Sequence, residues 1–193
     1  NGGIIHFGPD GKLYIVTGDA TNAPEAQNIS YLGGKVLRYN SDGTIPSNNP
    51  FPGSPVYSLG HRNSFGFTFH PDTGHLWQTE NGPADEEINR IIAGGNYGWP
   101  TGTGMLNNPS YVDPLIHITT NIAPTGIIAI PENSAVYPDA YDNNLLFADW
   151  NTGRLQRIIL TGANLNQLSS LSTAYTGGVG GILSIEQGLD GYM

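Results

Sequence analysis

The chain has 193 residues, no cysteine, and 7 basic against 16 acidic side chains, which gives a formal net charge of −9. This balance excludes an electrostatic grip on nucleic acid, and the missing cysteines exclude disulfides and thiolate-bound metals. No apolar run approaches the ~20 residues that cross a bilayer, so we expect no membrane span in this segment.

Composition and turn signals predict an all-β protein. The 27 Gly and 14 Pro divide the chain into short strands and turns. A Pro-Asp-Gly turn at 9–11 separates an apolar stretch from an alternating strand at 12–17, which is typical of a hairpin. The sequence FHPDTGHLW at 69–77 repeats FGPDGKLY at 7–14, and NNLLFADWNTGRLQRIIL at 143–160 is a weaker third copy. The final GLDGYM resembles the opening of a fourth.

Hairpins that recur at intervals of roughly fifty to sixty residues are typical of propeller blades. We expect a single β-propeller domain with blade-like units at residues 1–55, 56–110, 111–165 and, incomplete, 166–193. A propeller closes its ring to remove sheet edges, so these units indicate part of a ring, and a half ring that folds alone is disfavoured. The Pro-rich stretch at 44–55 is interpreted as a surface loop that shapes a binding face.

The stretch TENGPADEEINRIIAGGNYGWP at 79–100 concentrates carboxylates around a turn. Carbonyl oxygens of a Gly-Pro turn beside carboxylates suit a hard cation such as calcium. An acidic surface loop followed by a Gly-rich turn and an aromatic plug is the alternative interpretation. A short helix is predicted at 85–92. The Gly-Pro turn of the predicted cation site is Gly82-Pro83, and the acids around it are Glu80, Asp85, Glu86 and Glu87.

Seven ordered motifs connect this chain to a known family. They are FGPDGKLY at 7–14, GD at 18–19, GGKVLR at 33–38, DGTIP at 42–46, GHRN at 60–63, GP followed by DEEIN at 82–89, and NYGWP at 96–100. Together they resemble the soluble pyrroloquinoline quinone (PQQ)-dependent glucose dehydrogenases and the wider glucose/sorbosone dehydrogenase family. The resemblance implies a six-bladed β-propeller, of which this sequence covers about three to four blades. It also implies oxidation of a sugar C1 hydroxyl by hydride transfer to PQQ, with electrons passed to an external acceptor.

The resemblance implies roles for individual residues. Gly82 and Pro83 fall on the position whose carbonyls hold the calcium that orients PQQ, a chemistry suited to a hard cation. Glu87 and Tyr97 match positions tied to a second, structural calcium in some members. For these two, a surface carboxylate and a core aromatic are the alternative interpretation.

The cofactor and the sugar are assigned further residues by the same resemblance. Arg62 and Asn63 match residues that contact PQQ, and Arg62 is also counted with the catalytic residues because its fork suits anionic oxygens. Thr125 matches a loop that approaches the cofactor. Asp19 matches the carboxylate that supports a catalytic His and helps place the sugar. That His, the general base, is expected just before Asn1.

Two features leave a second function open. Asn151 stands where well-studied members carry a Lys, and no Lys or Arg follows Arg157, so the acidic cofactor has fewer cationic contacts here. The alternative is a non-catalytic, calcium-stabilised extracellular propeller that acts as a binding or structural module. The three Trp side chains are interpreted as core plugs more readily than as stacking platforms. The low content of charged residues, 12%, and the sequon at 28–30 favour an extracytoplasmic location, whether secreted, periplasmic or at the cell surface.

Overall fold

The computed structural model describes residues 2–177 and 180–193, and within them the chain is built from β-strands and two short 3₁₀ turns. Twelve strands form three antiparallel sheets of four, each from strands consecutive in the sequence. The first sheet contains β1 Gly2–Phe7, β2 Leu13–Thr17, β3 Lys35–Tyr39 and β4 Val56–Leu59. The second contains β5 Ser64–Phe69, β6 Leu76–Glu80, β7 Glu86–Ile91 and β8 Ile116–Ile118. The third contains β9 Pro124–Ala129, β10 Asn144–Asp149, β11 Arg154–Thr161 and β12 Gln167–Thr176.

The sheets pack face to face as propeller blades, which confirms the predicted fold class. One apolar cluster joins the first two blades and another joins the second and third. The first strands β1, β5 and β9 lie side by side, as the innermost strands of successive blades do. Between the first and second blades lie Tyr14, Val16, Val36, Phe67, Leu76, Ile91 and Tyr97, and Trp77, Ile88, Phe147 and Ile158 belong to the other cluster.

The hairpin predicted at the start of the chain is confirmed, and two backbone hydrogen bonds close its turn. The N–H of Gly11 donates to the carbonyl of Gly8, and the N–H of Gly8 donates to the carbonyl of Lys12. Gly11 adopts a φ of 70°, which favours glycine. The same pair of bonds recurs at the end of the chain, from Gly191 to Gly188 and from Gly188 to Tyr192. The predicted resemblance of GLDGYM to this turn therefore holds in the structure.

The blade boundaries differ from the predicted units. The first sheet ends at Leu59 rather than at 55, and the second ends at Ile118 rather than at 110. The unit predicted at 166–193 begins with β12, which is the outermost strand of the third blade rather than the start of a fourth. Strand β12 follows β11 after the short turn at 162–166 and is exposed over most of its length. It therefore shows no alternation of buried and exposed residues that would assign it to the third blade.

One local prediction is wrong, and one repeat occupies a different place in its blade than predicted. The helix predicted at 85–92 is absent, and Glu86–Ile91 form strand β7, because their side chains alternate between the two neighbouring blades and nearly all are buried. The strand, turn and strand predicted around Asn151-Thr152-Gly153 are confirmed, since this turn joins β10 to β11, but it forms the second hairpin of its blade rather than the first. The turn equivalent to Pro9-Asp10-Gly11 lies between β9 and β10 instead, where it is longer.

Strand register defines two faces of the molecule. Thr17, Lys35 and Leu59 lie at one end of the first sheet, as Ser64, Glu80 and Glu87 do in the second. We call this end the upper face; its loops are residues 18–34, 60–63, 81–85, 119–123 and 150–153. The Pro-rich loop at 44–55 leaves from Tyr39, at the lower face. It therefore does not shape the same surface as the upper loops.

A buried lysine stabilises the loop at 18–34. Lys35 has no exposed surface, and its Nζ donates to the carbonyl oxygens of Glu25, Ala26 and Gly33 at 3.1, 2.8 and 2.8 Å. Burial lowers the pKa of Lys35 to about 8, against a smaller opposing effect of the Glu25 carboxylate. At pH 7 the ammonium therefore stays protonated and supplies a donor to each carbonyl.

Replacing Lys35 with methionine is expected to lower the free energy of unfolding by about 3 kcal/mol. One buried and two partly buried carbonyls lose their donor, at up to ~1 to 3 kcal/mol each. The variant no longer buries a charge, which offsets part of this loss. Urea unfolding at pH 7 measures the change. Lys12→Met is the matched control, since Lys12 is partly exposed and its Nζ donates to a single side chain, Asn40, among the residues that the structure describes. Equal stability of the two variants would contradict the role given to Lys35.

Candidate active site on the upper face

The upper loops form a continuous arc through hydrogen bonds between blades. The N–H of Asp19 donates to the carbonyl of Arg62 at 2.8 Å, which links the first blade to the segment before β5. Asn81, at the end of β6, donates from its N–H to the carbonyl of Asn63 and from Nδ2 to the carbonyl of Pro124 at 2.8 Å. The arc thus brings together sequence-predicted residues from three blades.

Arg62 lies at the middle of this arc. Its Nη1 donates to the Asn81 carbonyl at 2.7 Å, and its Cζ lies 5.8 Å from the centroid of the Trp99 ring. Arg62 is partly exposed, and no salt bridge neutralises it within the described residues. The guanidinium is therefore held in place and still has donors for an anionic guest.

Asp19 is buried and lies beside Arg62. Its Oδ2 accepts a hydrogen bond from the Trp99 indole Nε1–H at 2.9 Å, and its Oδ1 accepts one from the N–H of Thr21 at 3.0 Å. Both oxygens of the carboxylate are thus fixed by the protein. Trp99 reaches this position because residues 95–99 run alongside β4, with a bridge between Leu59 and Asn96.

A buried polar chain lies directly beneath Arg62. His61 Nδ1 and Glu80 Oε2 are 2.8 Å apart, and His61 Nε2 and Ser58 Oγ are 2.9 Å apart. This order matches a nucleophilic triad, but Ser58 and His61 have no exposed surface, so no substrate reaches them. Glu80 Oε1 instead accepts the backbone N–H of Arg62 at 2.5 Å. This buried network of hydrogen bonds therefore holds the GHRN loop in position.

The Gly82-Pro83 turn presents carbonyl oxygens at the end of the arc. The N–H of Gly82 donates to Glu86 Oε2 at 3.2 Å, and a Cβ at Gly82 would collide with the Asp85 carbonyl. Among the described residues, no N–H donates to the carbonyls of Gly82 and Pro83. Two free carbonyls on a tight turn fit the ligand preference of calcium.

Glu87 and Tyr97 are both buried, which fits the core aromatic considered for Tyr97 and excludes the surface carboxylate considered for Glu87. Glu87 accepts hydrogen bonds from the Gly104 N–H at 2.6 Å and from Asn89 Nδ2 at 3.0 Å. Burial, reinforced by the charge of neighbouring Glu80, raises the pKa of Glu87 to about 8. The Tyr97 hydroxyl donates to the Arg90 carbonyl at 2.6 Å. Within the described ranges, no three His, Asp or Glu side chains form a metal-binding cluster.

The other predicted cofactor residues border the arc. Asn63 has a buried Oδ1 without a hydrogen-bond partner in the described part of the chain, an acceptor that fits a hydrogen-bonding guest. The Thr125 hydroxyl donates to the Ile182 carbonyl at 2.6 Å, so it is already engaged. Asn151 Nδ2 donates to Asn121 at the edge of the upper face.

Several residues contribute more contacts to this site than the sequence predicts. Glu80 and Glu86, named above only as acids around the Gly82-Pro83 turn, are buried acceptors of backbone N–H groups. Trp99 was interpreted as a core plug, yet it contacts Asp19 and Arg62. Asn81 was not singled out, although it bonds to the GHRN loop and to Pro124 of the third blade. Its position directly before Gly82-Pro83 was the available signal.

The fold and the site define part of a β-propeller whose polar loops gather on one face. The sequence profile of the Glucose / Sorbosone dehydrogenase family matches residues 1–193. The chain belongs to this family. None of the helical turns in the described part of the chain is long and apolar enough to span a membrane.

Individual relatives agree with this assignment. The chain is 42% identical over 133 residues to quinoprotein glucose dehydrogenase B of Acinetobacter calcoaceticus, covering 56% of this chain and 27% of that protein. A Thermus thermophilus structure described as a glucose dehydrogenase superposes with a TM-score of 0.87 at 37% identity, covering 98% of this chain and 56% of that one. The PQQ-bound aldose sugar dehydrogenase of Streptomyces coelicolor gives 0.82 at 36% identity, covering 95% and 52%. The chain thus spans about half the length of these solved structures.

Proposed function

We propose that the protein that carries this chain is a PQQ- and calcium-dependent aldose dehydrogenase. One observation carries the proposal: Asn81 joins the anchored Arg62 guanidinium to the free carbonyls of Gly82-Pro83 on a single face. A cation-binding turn beside an anion-binding fork suits a cofactor that carries carboxylates and chelates a metal. The PQQ-bound and quinoprotein relatives support the choice of cofactor.

Each residue of the arc has a proposed task. Gly82 and Pro83 hold calcium through their carbonyl oxygens, while Arg62 and Asn63 orient the cofactor through hydrogen bonds. PQQ, when bound, supplies the acceptor for hydride from the sugar C1 carbon. Asp19 orients the general base, a His expected next to Asn1, that takes the C1 hydroxyl proton. Thr125 borders the cofactor through its backbone.

The remaining assignments are also proposals. A second calcium at Glu87 and the Tyr97 carbonyl would require Glu87 to ionise. The raised pKa of Glu87 opposes ionisation in the metal-free protein, and a bound cation would favour it. The partners are an aldose, an external electron acceptor and the rest of the propeller ring. An extracytoplasmic location follows from the same family resemblance and the weakly charged composition.

Reconstitution of the full-length protein tests this function. Metal-stripped protein is supplied with PQQ and calcium, and dye reduction is followed with a panel of aldoses. We expect sugar-dependent reduction that needs both additions. A protein that binds no PQQ and reduces no dye with any aldose would instead be the non-catalytic, calcium-stabilised module, a result consistent with Asn151 at the position of the missing cation.

A further inference from the structure

Trp99 is anchored by its backbone more firmly than a core plug requires. Its N–H donates to the carbonyl of Gly60 at 3.0 Å, and its own carbonyl accepts a hydrogen bond from Gln27 Nε2 at 2.6 Å. Gln27 and Asn96 also exchange two amide hydrogen bonds, at 3.0 and 2.7 Å. These contacts join the loop at 18–34, the GHRN loop and the NYGWP segment. They fix the position of the Trp99 backbone, from which the indole ring extends.

The side chain of Trp99 contacts both charged residues of the site. Its Nε1–H donates to Asp19 Oδ2 at 2.9 Å, and the Arg62 Cζ lies 5.8 Å from its ring centroid. No other side-chain donor binds Asp19 within the described residues, since Oδ1 accepts only the Thr21 N–H. One side chain therefore contacts the carboxylate through an edge and the guanidinium through a ring.

We propose that Trp99 is a positioning residue that sets the Asp19 carboxylate and the Arg62 guanidinium relative to each other through two separable contacts. The inference rests on the proposed function, in which Asp19 serves proton transfer and Arg62 serves cofactor binding. The indole N–H therefore acts on turnover, while the aromatic ring acts on cofactor affinity. A role limited to packing would not separate these two quantities.

Two substitutions in the full-length protein separate the contacts. Trp99→Phe keeps an aromatic ring beside Arg62 and removes the N–H, so kcat should fall roughly tenfold while the PQQ dissociation constant changes less than about twofold. Trp99→Leu removes both contacts, so PQQ binding should also weaken by roughly five- to tenfold. Tyr111→Phe is the control, because it removes a hydroxyl bond to Thr101, which follows the NYGWP segment, and it should change neither kcat nor PQQ affinity.

The outcomes decide between positioning and packing. Equal losses of kcat and PQQ affinity in Trp99→Phe, or no loss in either variant, would overturn the proposal. A cofactor-free readout comes from the indole N–H resonances: Asp19→Asn should shift only the one that disappears in Trp99→Phe. If that resonance does not respond to Asp19→Asn, the proposal also fails. A wild-type protein that binds no PQQ would overturn the proposed function, while the resonance would still decide whether Trp99 holds Asp19.

Discussion

Replacing Arg62 with alanine is expected to weaken PQQ binding by at least ~10²-fold and to abolish sugar-dependent dye reduction. Its guanidinium is fixed by Asn81 and Trp99 and has donors left for an anionic guest. Losing one or two charge-assisted hydrogen bonds costs about 3 kcal/mol, which corresponds to roughly two orders of magnitude. Titration of PQQ into the calcium-loaded protein measures the effect.

Two further variants make this test specific. Arg62→Lys keeps the charge and loses the planar fork, so it should recover only part of the affinity. Arg90→Ala removes the same charge near the lower end of β7 and should leave PQQ binding unchanged. If Arg62→Ala and Arg90→Ala bind PQQ equally well, Arg62 does not hold the cofactor.

The largest expected loss of stability comes from Glu80→Ala. This change leaves buried donors of His61, Gln78 and the Arg62 backbone without their acceptor. Removing one partner of such a buried pair typically costs about 3 to 5 kcal/mol. Urea unfolding of the metal-free protein, in which no bound cation masks the change, measures this cost.

The control for Glu80→Ala is Glu132→Ala. Glu132 is an exposed acid on the lower face, so its removal should change the unfolding free energy by no more than about 0.5 kcal/mol. The Glu80 variant should also bind PQQ more weakly, because the Arg62 loop loses its anchor. A Glu80 variant as stable as the Glu132 control would show that the buried chain does not support the GHRN loop.

Turn chemistry made the hairpins predictable. The sequence Gly8-Pro9-Asp10-Gly11 has few other conformations open to it, and its repeats at 69–77 and 188–193 identified the blade architecture. Strand β7 was not predictable in the same way. Its run of acids at Asp85, Glu86 and Glu87 is typical of the first turn of a helix. Burial between two blades overrides that local preference, and burial depends on the whole fold.

The site was only partly predictable, because its contacts are distant in sequence. Gly82, Pro83 and Arg62 belong to motifs whose residue types indicate cation and anion binding. The bond between Asp19 and Trp99 joins residues 80 positions apart, and no local pattern indicates it. The burial of Glu80 and Glu86 likewise follows from the packing of three blades. Motifs thus identified the chemistry, and the fold determined which side chains support it.

Calcium-dependent binding of PQQ to the metal-stripped, full-length protein tests the central claim most directly. Isothermal titration should give one PQQ per protein when calcium is present and little or no binding when a chelator removes it. That result follows if the free carbonyls of Gly82 and Pro83 hold the cation that the cofactor chelates. Equal binding with and without calcium, or no binding under either condition, would contradict the account.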